Sequence, residues 1–124
     1  MIRTMVLAAT LLLASAAPLE ASHWRGPISL PWYGPGFYGN RTACGQVLTR
    51  RIVGVATNLN LRCGTKVELR WNGRRITVPV IDRMADHPRL KFDATARVAC
   101  YKLNPWRLKG TCFTRDNVYW RVVS

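Results

Sequence analysis

The sequence predicts a small, mainly β domain, built as a β-barrel with one short helix. Three features support this: short strands with period-two alternation, an Asn-Gly hairpin signal, and one helical segment within about a hundred residues. The chain has 124 residues, and 48% of them are hydrophobic. This composition provides a core for one domain and excludes a disordered polycation.

The strand pattern is clearest in the middle of the chain. Residues 67–71 alternate apolar and polar side chains, which is typical of a half-buried strand. Asn72-Gly73 follows and predicts a tight hairpin, after which residues 76–80 alternate again. Further strands are expected within 52–56 and 118–123, where β-branched and aromatic residues are frequent.

The one predicted helix covers residues 94–103, which begin with Ala-Thr-Ala and end with Tyr-Lys-Leu. Asp93 precedes this segment directly. We expect Asp93 to be the N-cap, since a carboxylate there accepts hydrogen bonds from the free N–H groups of the first turn.

The N-terminus resembles a secretory signal peptide. Arg3 precedes an apolar stretch at 5–17 that is too short to span a bilayer, and small residues follow it. We expect a signal peptide at 1–21 with cleavage after Ala21; cleavage after Ala16 and a buried N-terminal helix are the alternatives. The sequence then predicts a flexible lead-in at 22–31, a domain at 32–124, and a periplasmic or extracellular protein without a transmembrane segment.

Four cysteines are present in this short chain, and three pairings are open to them. Export favours disulfides, and the most economical pairing joins Cys44 to Cys63 and Cys100 to Cys112. The spacings contain no Cys-x-x-Cys pair, and the two histidines complete no ligand cluster. We therefore expect neither a metal nor a cofactor.

The charge is strongly positive: 19 Lys and Arg residues against 6 Asp and Glu residues give +13. Outside the cell, this charge favours anionic wall or envelope polymers as partners. Nucleic acid is not expected for an exported, oxidised protein, and we expect a monomer.

Several short blocks occur in an order that resembles a known family. They are residues 32–39 (WYGPGFYG), 41–45 (RTACG), 61–67 (LRCGTKV), 80–83 (VIDR) and 92–93 (FD). In this order they resemble the rare-lipoprotein-A-like (RlpA-like) domains and their relatives, the expansins and barwin-like proteins. The resemblance implies a six-stranded double-psi β-barrel. It also implies lytic transglycosylase action on peptidoglycan or another wall polysaccharide, with a non-catalytic expansin-like, wall-loosening module as the alternative.

The resemblance implies a catalytic set of Asp82, Asp93, Gln46 and Thr57. Asp82 is the candidate acid/base, because cleavage of a glycosidic bond needs a proton donor to the leaving oxygen; a structural ion pair with Arg83 or another arginine is the alternative. Gln46 stands where the family has a glutamate, and Thr57 where it has a histidine. An altered or low activity is therefore expected, and whether the chain is an enzyme stays open.

The implied glycan-binding residues are aromatic and polar. Flat rings bury the apolar faces of sugars, and core packing of the same rings is the alternative. The set consists of Trp32, Tyr33, Phe37, Tyr38, Thr42 and Arg83.

Overall fold

The computed structural model describes residues 23–104, 112 and 114–124. The expected signal peptide at 1–21 lies outside the described residues. The described residues form seven strands and one short helix. The strands are β1 (Arg25–Leu30), β2 (Trp32–Tyr33), β3 (Val55–Thr57), β4 (Lys66–Trp71), β5 (Arg74–Arg83), β6 (Phe92–Thr95) and β7 (Arg115–Val122), and the helix is Val98–Lys102.

All seven strands belong to one mixed sheet, in the order β1-β7-β4-β5-β3-β6-β2. The pairs β2–β6 and β3–β5 are parallel, and the other neighbours are antiparallel. β1 and β2 lie at opposite edges, yet only Pro31 separates them in the chain. The sheet must therefore curl into a half-barrel until its two edges approach each other, and Ala94 on β6 donates its N–H to the Pro31 carbonyl (2.8 Å).

The predicted fold class is confirmed in its coarse form: the protein is mainly β, with one short helix and two disulfides. The expected closed barrel of six strands is replaced by a half-barrel of seven strands in the described part of the chain. Residues 25–30, which the sequence assigned to the lead-in, form β1 and pair with β7, with Ile28 opposite Val118. The double-psi crossing stays a prediction.

The helix prediction was wrong at its start. Asp93 and Ala94 belong to β6, where they register with Ala56 and Val55 of β3. The helix begins only at Val98, and its N-terminus has no side-chain cap. Pairing with β3 thus overrides the helical propensity of this alanine-rich stretch, because propensity is weak compared with tertiary contacts.

The core lies on the concave side of the curled sheet, under the short helix. One buried polar group is Arg115, which is 1% exposed and donates from Nη2 to the carbonyl oxygens of Ala99 (2.8 Å) and Leu103 (3.4 Å). Arg115 therefore attaches the helix to the start of β7. The core residues are Leu30, Val55, Val67, Leu69, Val78, Val80, Phe92, Ala94, Val98, Ala99, Leu103, Val118 and Trp120.

Both disulfides of the economical pairing are present. Cys44–Cys63 spans 19 residues and joins the turns before β3 to the turn before β4. Cys100–Cys112 spans 12 residues and joins the short helix to the segment before β7. Each bridge closes a loop for which the chain-entropy model gives roughly 3 kcal/mol of stabilisation.

The close packing at Gly54 yields a prediction. An added Cβ at Gly54 would lie 2.7–2.8 Å from three side-chain atoms of Ile81, which is 2% exposed. We expect Gly54→Ala to lower the free energy of unfolding by about 1–3 kcal/mol in urea denaturation, because the core has no room to yield. In an Ile81→Ala background the same change should cost clearly less. Equal costs in both backgrounds would show that Ile81 is not the obstacle.

Candidate functional site

The carboxylate of Asp82, near the end of β5, connects three separate parts of the chain. Its Oδ1 accepts hydrogen bonds from the backbone N–H groups of Ala43 (2.8 Å) and Arg83 (2.8 Å). Its Oδ2 accepts a hydrogen bond from the hydroxyl of Tyr33 on β2 (3.0 Å). Asp82 thus fixes the segment around Ala43 against the sheet, and its side chain is an acceptor in all three contacts.

Tyr33 and Phe37 stand beside this carboxylate. Their rings meet edge to face, with centroids 6.5 Å apart. Burial, and next the charge of Asp82, raise the pKa of the Tyr33 hydroxyl, so the phenol stays a neutral donor. A small open cavity of about 130 Å³ lies here. Its lining consists of Tyr33, Phe37, Asn40, Arg41, Thr42, Leu48 and Asp82.

A second carboxylate lies on the same face of the sheet. Ala56 on β3 registers with Asp82 on one side and with Asp93 on the other. Residues in register point to the same face, so the two aspartates flank the small Ala56 side chain. Burial, and next the charge of Asp82, raise the pKa of Asp93 to about 6. Oδ1 of Asp93 is buried and has no hydrogen-bond partner among the described residues.

Residues 34–48 form a rigid turn-rich segment, which we call the stapled loop. Its backbone is cross-linked by N–H donation from Gly39 to Leu48 (2.9 Å), from Leu48 to Asn40 (2.8 Å) and from Thr42 to Gln46 (2.7 Å). The Cys44–Cys63 disulfide and the Ala43–Asp82 hydrogen bond attach it to the sheet. These two tethers hold the stapled loop at consecutive residues, Ala43 and Cys44.

Two of the predicted catalytic residues have structural contacts of their own. Gln46 belongs to the stapled loop, where its Oε1 accepts a hydrogen bond from the Thr42 hydroxyl (3.0 Å). Thr57 is fully buried, and its hydroxyl donates to the Lys91 carbonyl (2.9 Å) and accepts from the Leu59 N–H (3.1 Å). Thr57 follows Ala56 on the same strand and therefore points to the opposite face from the two aspartates.

The predicted binding aromatics also separate into two groups. Tyr33 and Phe37 lie at the Asp82 cavity, and Thr42 lines it too. Trp32, next to Tyr33 on β2, lines a different cavity. Tyr38 is half-buried, with its ring against Gly34 and under the Arg50 guanidinium (5.6 Å to the centroid).

Arg83 is exposed and forms no ion pair with Asp82. Its Nη1 donates instead to the Leu59 carbonyl (3.4 Å).

His87 lies on the loop after β5. Its Nδ1 accepts hydrogen bonds from the N–H groups of Arg89 (3.0 Å) and Leu90 (3.1 Å). His87 therefore orders its own loop.

A larger cavity, of about 550 Å³, lies apart from the two aspartates. Its lining consists of Trp32, Arg50, Arg51, Ala96, Arg97, Cys100, Tyr101 and Cys112.

Within the described ranges, no three His, Cys, Asp or Glu side chains come together in a group that fits a metal ion. Over those same ranges, no helix is long and apolar enough to cross a membrane.

Sequence analysis missed the contributions of Ala43, which donates its N–H to Asp82, and of Leu48, which lines the cavity. The one sequence signal near Ala43 is the disulfide cysteine that follows it, Cys44. The contact itself is made by the backbone N–H of Ala43, which no side-chain pattern reveals.

The fold is similar to that of a solved structure, the Streptomyces papain inhibitor (SPI). The match has a TM-score of 0.59 and 25% sequence identity, and it covers 83% of this chain and 96% of the inhibitor chain. No protein-family model matches the chain. The comparison with curated proteins gave no match either.

These findings overturn the expected family and function. The expected membership of the RlpA-like family was wrong, because the fold matches a protease inhibitor. The expected action on wall glycan, catalytic or expansin-like, was derived from that resemblance and was wrong for the same reason. The Asp-Arg block that supported the resemblance contains Asp82, whose carboxylate holds a loop and a tyrosine in place. Loop anchoring therefore explains this block without any acid/base chemistry.

The raised pKa of Asp93 gives a pH prediction. The unfolded chain releases this proton near pH 3.8, whereas the fold keeps it until about pH 6. The contribution of Asp93 to the free energy of unfolding therefore falls as pH rises from 3.8 to about 6 and is constant above that. In urea denaturation across this window, Asp93→Asn should gain stability relative to the wild type as pH rises. Parallel curves for the two proteins would contradict the assignment.

Proposed function

We propose that this protein inhibits a papain-like cysteine protease. The observation that supports this is the likeness to the Streptomyces papain inhibitor, which extends over 96% of that inhibitor chain. The likeness therefore includes nearly the whole inhibitor fold and not a shared fragment. A fold alone does not specify function, so the proposal also needs a surface suited to a protease cleft.

The stapled loop is the surface that we assign to the protease. It exposes two apolar side chains, Phe37 (56% exposed) and Val47 (41% exposed). Exposed aromatic and aliphatic anchors that fill a partner's pockets commonly dominate the energy of an interface. Phe37 and Val47 are the anchors in this proposal.

Rigidity of the stapled loop supports the same assignment. Its tip is fixed by the disulfide at Cys44, by the Ala43–Asp82 hydrogen bond and by Nη1 of Arg41, which donates to the Gly45 carbonyl (2.8 Å). A loop that is ordered before binding loses little conformational entropy in the complex. Protease–inhibitor pairs are among the complexes in which the backbone moves least on association.

The backbone of the stapled loop favours blocking over substrate-like binding. Gly36 (φ 91°), Gly39 (φ 95°) and Gly45 (φ 100°) adopt left-handed conformations that side chains rarely take, so the chain turns repeatedly here. A loop with these turns presents no extended segment to the thiolate nucleophile of the protease. We therefore infer non-covalent obstruction of the cleft, with the inhibitor left uncut.

Export is part of the same proposal. Two disulfides suit an oxidising compartment, where proteases act on secreted proteins. The signal peptide at 1–21 and the periplasmic or extracellular location stay predictions, and the partner is then a protease met outside the cytoplasm.

Phe37 provides the first test of the proposal. In steady-state assays of papain with a peptide substrate, we expect the wild-type protein to inhibit and Phe37→Ala to inhibit at least about tenfold more weakly. Val123→Ala is the matched control, because Val123 is a similarly exposed apolar side chain (45%) at the end of β7. Absence of inhibition by the folded wild-type protein would exclude papain as a target, and equal effects of both substitutions would remove the loop from the interface.

The two disulfides provide a second, independent test. The double variant Cys44→Ser/Cys63→Ser releases the stapled loop, whereas Cys100→Ser/Cys112→Ser releases the short helix. Both should lose a comparable, roughly 3 kcal/mol contribution to stability. At a temperature where circular dichroism shows both variants folded, only the first should lose papain inhibition. Loss of inhibition confined to the second would place the protease contact near the helix.

A further inference from the structure

The outward face of β4, β5 and β7 carries a concentrated group of cations and aromatic rings, which we call the Trp24 face. Core residues such as Val67, Leu69 and Trp120 point inward on these strands, so their sequence neighbours point outward. The Trp24 face consists of Trp24, Lys66, Glu68, Arg70, Arg75, Tyr119 and Arg121.

Three strands direct an arginine to one ring in this face. The guanidinium carbons of Arg121, Arg70 and Arg75 lie 4.3, 4.5 and 5.5 Å from the centroid of Trp24. Arg70 also lies 4.9 Å from the ring centroid of Tyr119, which is its cross-strand neighbour. Stacking on rings holds guanidinium groups in place and orients their N–H edges, some of which in Arg75 and Arg121 already donate to Glu68.

The Trp24 face has an excess of positive charge that its own side chains do not balance. Arg70 and Arg75 are direct cross-strand partners, an arrangement in which like charges repel. Glu68, the one carboxylate among the described residues of this face, contacts Arg75 (2.9 Å) and Arg121 (2.8 Å). The face thus carries four cations and one carboxylate, which contacts two of them, and a bound anion would relieve the remaining repulsion.

We propose that the Trp24 face binds a linear, phosphate-bearing polymer of the cell envelope. Ordered guanidinium groups match phosphate oxygens through paired N–H donors. A face that extends over three strands fits several phosphates in a row better than one small anion. The net charge of +13 adds long-range attraction for such a chain.

The same geometry disfavours single-stranded nucleic acid as the occupant. Such strands bind by stacking bases on free aromatic faces in addition to phosphate contacts. Here two guanidinium groups lie within 4.5 Å of the Trp24 centroid, and a base would compete with them for the ring. The face therefore suits a polyanion recognised through its backbone charges alone.

The proposal is independent of protease inhibition, because the stapled loop and the Trp24 face share no residue. The test is calorimetric titration of the full exported chain with poly(glycerol phosphate) at a series of salt concentrations. Arg70→Gln/Arg75→Gln removes two charges from the face, and Arg50→Gln/Arg51→Gln removes two charges elsewhere as the matched control. Arg70→Lys/Arg75→Lys keeps the charge and removes the stacked guanidinium groups. Circular dichroism verifies that each variant is folded.

We expect Arg70→Gln/Arg75→Gln, the face variant, to bind the polymer at least about tenfold more weakly. The slope of log affinity against log salt concentration should become shallower by an amount that corresponds to about one to two phosphate contacts. The control should lose clearly less affinity, and the lysine variant should lie between wild type and the glutamine variant. Equal losses in the face variant and the control would show that net charge acts without a site. Tighter binding of a thymidine oligonucleotide or of polyglutamate with the same number of charges would overturn the assignment to a phosphate polymer.

Discussion

A single-residue connection constrains the whole architecture. β1 and β2 occupy opposite edges of a seven-stranded sheet, and Pro31 alone joins them. A flat sheet would hold these edges many strand spacings apart, since neighbouring strands lie about 4.8 Å from each other. The sheet must curl, and the curl brings Tyr33 on β2 within hydrogen-bonding distance of Asp82 on β5. The core, the small cavity and the anchor of the stapled loop all depend on that closure.

The surroundings of Asp82 fit two interpretations, an acid/base site and a structural anchor for a loop. A carboxyl group in a shallow cavity is also what acid/base cleavage of a glycosidic bond requires. In the structure Gln46 and Thr57 have hydrogen bonds of their own, whereas the carboxylate of Asp82 binds the Ala43 N–H and the Tyr33 hydroxyl. The sequence blocks around Ala43 and Asp82 therefore have a structural role in this fold, and their resemblance to an enzyme family did not specify function.

The coarse fold could be predicted from local patterns, and the site could not. Alternation at 67–71 and the Asn72-Gly73 turn specify strands β4 and β5 directly, because period two and left-handed turn residues are local properties. β1 was missed because its pairing with β7 joins distant parts of the chain. Asp93 was misplaced for the same reason, since its strand exists only through β3. The anchor at Ala43 is a backbone N–H, which no side-chain pattern reveals.

The positions of the carboxylates explain why the surface is so cationic. Glu68 contacts two arginines, Asp82 accepts three hydrogen bonds, and Asp116 accepts one from a serine hydroxyl (2.7 Å). Asp93 is half-buried, with one oxygen wholly enclosed, and Asp86 is exposed on the loop after β5. Negative charge is thus used mostly to hold the fold together, whereas many of the arginines, unlike the buried Arg115, remain near the surface. This division leaves a positive field around the protein, and the arginines that stack on Trp24 differ from that general field because they are ordered.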